Sequence, residues 1–263
     1  MLSALTSIQL IDNNLARSQA TTASDPTVKR ETSYYLANIG SIKTSKDFVN
    51  NYQLFSYAMT AYGLSDLTYA KSMMQKVMDG GVSNPKSIAN QMSDPRFKAF
   101  AQAFDFGDKG AAATSNAANN KATTSMFVEQ TLENNVGQQN QGAQLALYFQ
   151  REAPKITSGL QILGDKALFQ FVQTAFDIPP VASSNALDKA GKNIESKINM
   201  ADLKDPAKVQ KMVTRFAAMW DMQNTDPTAT NPALAVFAAS SSASSPTISS
   251  DLLLQAQRLY GNF

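Results

Sequence analysis

Six of the ten prolines in this 263-residue chain follow Asp or Asn: Asp25-Pro26, Asn84-Pro85, Asp94-Pro95, Asp205-Pro206, Asp226-Pro227 and Asn231-Pro232. An acceptor side chain at the N-cap satisfies backbone N–H groups that a helix start leaves free. Proline at the next position loses no hydrogen bond and arrives with φ already near its helical value. The first four pairs are each followed by helix-forming sequence, so each predicts a helix start. Between the starts, apolar residues recur at intervals of three and four. Phe48, Tyr52, Phe55, Met59 and Tyr62 form one stripe, closed by Gly63; Leu67, Ala70, Met74 and Val77 form the next, closed by Gly80-Gly81; Phe97, Phe100 and Phe104 end near Gly107. Later come Leu160, Leu163, Ala167, Phe171 and Ala175, then Leu187, Ile194 and Ile198, then Val209, Val213, Phe216 and Trp220. Convincing two-residue strand alternation is absent. The predicted fold class is all-α.

Landmarks recur along the chain in the same order. Tyr34-Tyr35 is echoed by Tyr148-Phe149, Ile42-Lys43-Thr44-Ser45 by Ile156-Thr157-Ser158, Leu54 to Leu64 by Leu168 to Ile178, and Asp94-Pro95 by Asp205-Pro206. The last three are offset by 114, 114 and 111 residues, which reads as two divergent copies of one multi-helix module. The predicted organisation is an N-terminal amphipathic helix (1–24), a first module (25–107), a small-residue linker (108–124), a second module (125–222), an Ala/Ser/Thr/Pro-rich linker (223–250) and a C-terminal helix (251–263). A long helix is expected from Ser125 to Arg151, with a bend or break at Gly137-Gln-Gln-Asn-Gln-Gly142.

The chain has no histidine and no cysteine. That removes the usual acid/base near neutral pH, the usual thiol nucleophile and the commonest metal ligands. The carboxylates stand mostly singly, and the close pairs Asp105/Asp108 and Asp202/Asp205 suit capping and turns better than catalysis. The Gly137–Gly142 stretch lacks the preceding strand and the Gly-Lys-Ser/Thr of a phosphate loop, and no calcium-loop register occurs. No catalytic residue, cofactor or metal is therefore expected, and an enzyme is not the favoured reading. With a net charge of +2 and Lys189, Lys192 and Lys197 interrupted by Asp188 and Glu195, nucleic-acid binding is not expected either. No apolar run is long enough to span a membrane. Met1 to Asp12 has no basic region before its apolar residues, so a cleaved signal is not expected.

The aromatic stripe and the methionines Met73, Met74, Met78 and Met92 read as core, with Trp220 anchoring the last helix of the second module. The N-terminal stretch Ala4 to Ser18 carries an apolar stripe of Leu5, Ile8, Ile11 and Leu15, and Asp251 to Phe263 carries Leu253 and Leu259. Packing on the protein's own modules and pairing with partner helices are both open for these residues. At about 1.5–3 kcal/mol per fully buried large apolar side chain, a few of them could decide association. These six residues are the candidate assembly interface.

Pro26-Thr-Val-Lys-Arg-Glu-Thr-Ser-Tyr-Tyr35, Asn38-Ile-Gly40, Asp47-Phe48, Tyr52, Tyr57-Ala-Met59, Gly63-Leu64, Tyr69-Ala-Lys71, Val77-Met78 and Ser93-Asp-Pro-Arg-Phe97 with Phe104 resemble a family of uncharacterised bacterial domains. That family is known chiefly from alphaproteobacteria, with genes often in flagellar clusters, and the match covers most of the first module. In addition, Ala4 to Gln19 is similar to the N-terminal coiled-coil segment of flagellin-type axial proteins. The resemblance implies a helical, flagellum-associated protein and supplies no catalytic residues. The expected function is a non-enzymatic structural or assembly protein of the flagellum, exported without a cleaved signal, with flagellar components or copies of itself as partners. The alternative is a cytoplasmic chaperone or regulator that binds a flagellar component.

Overall fold

The computed structural model describes residues 2–180 and 186–224. Asp25 shows how an Asp-Pro pair becomes a helix start: its Oδ1 accepts the backbone N–H groups of Thr27 (2.8 Å) and Val28 (3.2 Å), with Pro26 at the first helical position. Asp94 does the same for Arg96 N–H and Asp205 for Ala207 N–H, each at 2.9 Å. Asn84-Pro85 differs. Asn84 accepts from Lys86 N–H at 2.9 Å but closes only a turn, and the next helix waits until Ile88. Asp226-Pro227 and Asn231-Pro232 lie outside the described residues.

The helices in chain order are α1 (Ala4–Asp12), α2 (Leu15–Ser24), α3 (Pro26–Asn38), α4 (Ser45–Asn50), α5 (Tyr52–Ala61), α6 (Lys71–Asp79), α7 (Ile88–Gln91), α8 (Pro95–Ala103), α9 (Phe106–Lys109) and α10 (Ala117–Gly137). They continue as α11 (Gln141–Glu152), α12 (Gly159–Gly164), α13 (Lys166–Phe176), α14 (Leu187–Lys197) and α15 (Pro206–Asn224). No strand occurs among the described residues, so the all-α class is the observed one. Residues 1–221 form one contact unit, and the described part of the other is the end of α15.

Two apolar cores lie within that unit. The first gathers Phe48, Phe55, Met59, Phe100, Phe104 and their neighbours from α3 to α10. The second gathers Phe149, Ile162, Phe171, Ile194, Phe216 and their neighbours from α11 to α15, together with Ala4 and Ile8 of α1. The 114-residue spacing recurs in the geometry. Tyr35 stacks on Tyr57 (4.5 Å, 20°), and Phe149 stacks on Phe171 (3.8 Å, 8°). A 3-10 turn begins at Ile39 after α3 and at Ala153 after α11. Thr44 caps α4 as Ser158 caps α12, and Asn51 caps α5 as Asp165 caps α13. After α5 and α13 the chain takes a positive φ, +68° at Gly63 and +51° at Asp177. Gly63 meets that turn without steric cost, and Asp177 is one of the few side-chain types that tolerates it.

Several sequence expectations need correction. The N-terminal helix is two helices, because Asn14 leaves helical geometry and its Nδ2 donates to Leu10 O (3.2 Å), competing with the backbone ladder. The Phe48–Tyr62 stripe is broken at Asn51, whose Oδ1 caps α5, and Tyr52 is left 66% exposed. The 108–124 linker is mostly ordered helix: Asn116 caps α10 through the N–H groups of Ala118 and Asn119, and the alanines that follow favour helix. The Ser125–Arg151 helix is α10 and α11, parted at the expected place where Asn140 caps α11. The 225–263 remainder, holding nearly all of the second linker and the C-terminal helix, lies outside the described residues.

Candidate functional site

Two partly open places stand out against these cores: a largely apolar cleft under the N-terminal helices and the polar junction between the two cores. α1 and α2 lie across α11 and α10. Asp221 Oδ1 accepts Ala4 N–H (2.8 Å), and Asn140 Nδ2 donates to Leu2 O (3.0 Å). Beneath their elbow Ile11, Asp12 and Leu15 face Glu133, Leu147 and Arg151 across a cavity of about 280 Å³. Its floor is ionic. Arg151 Nε donates to Glu133 Oε1 (2.7 Å), Nη2 to Glu133 Oε2 and Gln130 Oε1 (both 3.0 Å), and Nη1 to Glu152 Oε1 (2.6 Å). Burial pushes the Glu133 carboxyl upward, and its hydrogen bond to Arg151 opposes the shift. A second concavity on the other side of the elbow is lined by Leu10, Ile11, Arg17 and Val136.

The candidate interface residues therefore divide. Ile8 is fully buried in the second core, and Leu5 is half-buried against it. Ile11 is half-buried in the cleft wall. Leu15, 43% exposed, stands at the cleft, and Leu10, 58% exposed, is a residue the sequence reading passed over. Packing on the protein's own module thus accounts for Ile8, while Ile11 and Leu15 border open space. Leu253 and Leu259 lie outside the described residues.

The junction went unread in the sequence. Arg96, just inside the Asp94-Pro95 start of α8, lies 3.2 Å from Asp165 Oδ2, the cap of α13. Its Nη2 donates to Asp94 Oδ2 (2.7 Å) and its Nη1 to Gly63 O (2.6 Å). Tyr148 Oη donates to Asp165 Oδ2 (2.5 Å). Burial and the Asp165 carboxylate together push Tyr148 far upward, while burial pushes Asp94 upward against the pull of Arg96. Gly164 fits here because a Cβ would meet Asp94 N at 2.5 Å, a contact real side chains do not make. A cavity of about 310 Å³ beside Arg96 is lined further by Gln144, Tyr148 and Lys166. The available signal was register: Asp165 stands 114 residues after the cap Asn51.

Among the described residues no group of three or more acidic side chains is placed to hold a metal ion. No helix there is long and apolar enough to cross a membrane. At both places a guanidinium holds buried carboxylates, Arg151 with Glu133 and Glu152 and Arg96 with Asp94 and Asp165, an arrangement that locks helices together.

Comparison with known proteins matches residues 61–209 to the DUF1217 family of proteins of unknown function. The matched span runs from the end of α5 into α15, whereas the residues that carry the sequence resemblance lie before α10. The fold is similar to the crystal structure of a protein from Agrobacterium tumefaciens, with 40% identity and a TM-score of 0.78 over 85% of this chain and 97% of that one. None of the curated proteins matches. With more than half its length matched by that family, the chain belongs to DUF1217.

Proposed function

We propose that this is a non-enzymatic structural or assembly protein of the bacterial flagellum, acting through protein–protein contacts. The flagellar part of the proposal rests on the resemblance described above, and the mode of action rests on one observation. The N-terminal helices hold exposed Leu15 at an apolar cleft with an acidic and guanidinium floor, and exposed Leu10 at the neighbouring concavity. A partner helix laid there would bury its apolar face against Ile11, Leu15 and Leu147 and leave its polar face outward. In the same proposal the two helical cores are divergent copies of one module, joined at Arg96 and Asp165.

The alternative, a cytoplasmic chaperone or regulator of a flagellar component, is favoured by the burial of Ile8. A terminal helix already seated on its own module is not free to pair as an axial subunit's would be. Immunoblots of cytosol, medium and isolated flagella, from cells with and without a working flagellar export apparatus, separate the two. Export-dependent protein in medium or flagella supports the exported component; protein confined to the cytosol in both strains supports the chaperone.

A further inference from the structure

The first module carries another concavity, remote in character from the N-terminal cleft. Glu31 of α3, Tyr52 and Tyr57 of α5 and Phe127 of α10 line a cavity of about 290 Å³, completed by polar residues of α5. Three aromatic rings and one carboxylate meet there, and among the described residues no lysine or arginine lines the space. The half-buried Glu31 has no hydrogen bond or ion pair among the described residues. The wall is rigid: Tyr57 is sandwiched between Tyr35 (4.5 Å) and Phe127 (3.9 Å), and its hydroxyl meets Thr32 Oγ1 at 2.9 Å. Tyr52 stands 66% exposed. A carboxylate without a counter-ion beside aromatic rings is an environment that attracts a cation, through charge and through the ring quadrupoles.

The second module shows what happens at the equivalent place. Adding 114 to Glu31, Tyr52, Gln53 and Ser56 gives Leu145, Lys166, Ala167 and Gln170. All four line the junction cavity, which the first module enters with Arg96. The face that the second module presents to a guanidinium inside the chain is thus the face that the first module leaves open. Charge complementarity changes sides accordingly. At the junction Arg96 is neutralised by Asp94 and Asp165, whereas the open cavity supplies Glu31.

We propose that the Glu31–Tyr52 cavity receives a basic side chain, arginine or lysine, presented by a partner protein. The inference does not depend on the flagellar reading. The test is a titration of the full chain with N-acetyl-arginine amide, followed by NMR, with the uncharged citrulline analogue as comparison. Arginine amide should give saturable shifts at the cavity, and the citrulline analogue should bind at least about tenfold more weakly. Glu31→Gln and Tyr52→Ala should each weaken arginine binding by about tenfold, while Glu129→Gln, outside the cavity, leaves it unchanged. Equal binding of citrulline, an unaltered affinity in Glu31→Gln, or no saturable shift at the cavity would overturn the proposal. Both substituted side chains are at least partly exposed, and circular dichroism checks that the variants fold. Self-association lost in Glu31→Gln would identify a second copy as the carrier; a chain that binds arginine amide but stays monomeric assigns that role to a different protein.

Discussion

Asp165 concentrates more roles than any other described residue at the junction. It is fully buried, it caps α13 through Ala167 and Leu168 N–H, it accepts from Tyr148, and it faces Arg96. Removing it takes away at once the cap of α13, the acceptor of Tyr148 and one of the two carboxylates on Arg96, leaving buried donors without partners. Asp165→Ala should destabilise the fold by about 3–5 kcal/mol, read as a lower urea midpoint with an unchanged slope. A change near the 1 kcal/mol typical of an exposed cap would mean that Asp94 alone compensates Arg96. The same residue marks where sequence reading stopped. Its role as a cap went unread, because the stripe from Leu160 to Ala175 runs straight through it, and nothing local signals that an arginine 69 positions earlier meets it.

At the scale of elements, caps and spacing carried most of the information. Asp25, Asp94 and Asp205 start helices where expected, and most residues of the apolar stripes point into the two cores, with Tyr52, Leu160 and Leu187 left exposed. The split stripes share one cause. At Asn14 and Asn51 a short amide side chain competes with the ladder and splits a stripe that counts as continuous by spacing alone. The reverse holds at 108–124, where small residues suggested a linker and Asn116 capped a helix instead. The close approach of α12 to the start of α8 rests on Gly164. Gly164→Ala should cost about 1–3 kcal/mol through overpacking, whereas Gly40→Ala, with nothing within 4 Å of the added methyl, should be near neutral. Equal effects in thermal denaturation would show that the junction yields.

Across the whole molecule, buried tyrosines tie the fold to pH. Burial pushes Tyr57 up to about 12 from an ordinary 10.0, and Tyr35, Tyr62 and Tyr148 shift in the same direction for the same leading reason. A raised native value means that the folded chain holds protons the unfolded chain has released. Stability from Tyr57 is therefore complete below pH 10 and is lost as pH rises toward 12. The part of the tyrosinate absorbance that is lost in Tyr57→Phe should appear together with alkaline unfolding, and Tyr57→Phe should move the midpoint to higher pH. That absorbance appearing well before loss of helicity would show that the Tyr57 hydroxyl reaches solvent in the folded chain. Of the candidate site, Ile11 and Leu15 were legible as an apolar stripe. That Ile8 turns inward was not, because a helical stripe looks the same whether its own module or another protein covers it.

The most direct test of the assembly role is to isolate flagella from cells making either the native protein or Leu15→Asp, and to probe both for it. Leu15 is exposed, so the substitution changes the cleft without emptying a core position, as Ile8→Asp would. The expected result is native protein in the flagellar fraction and Leu15→Asp lost from it, with equal cellular levels and helicity. Equal amounts of both in that fraction, or neither there while both are abundant in the cell, would contradict assembly through this cleft.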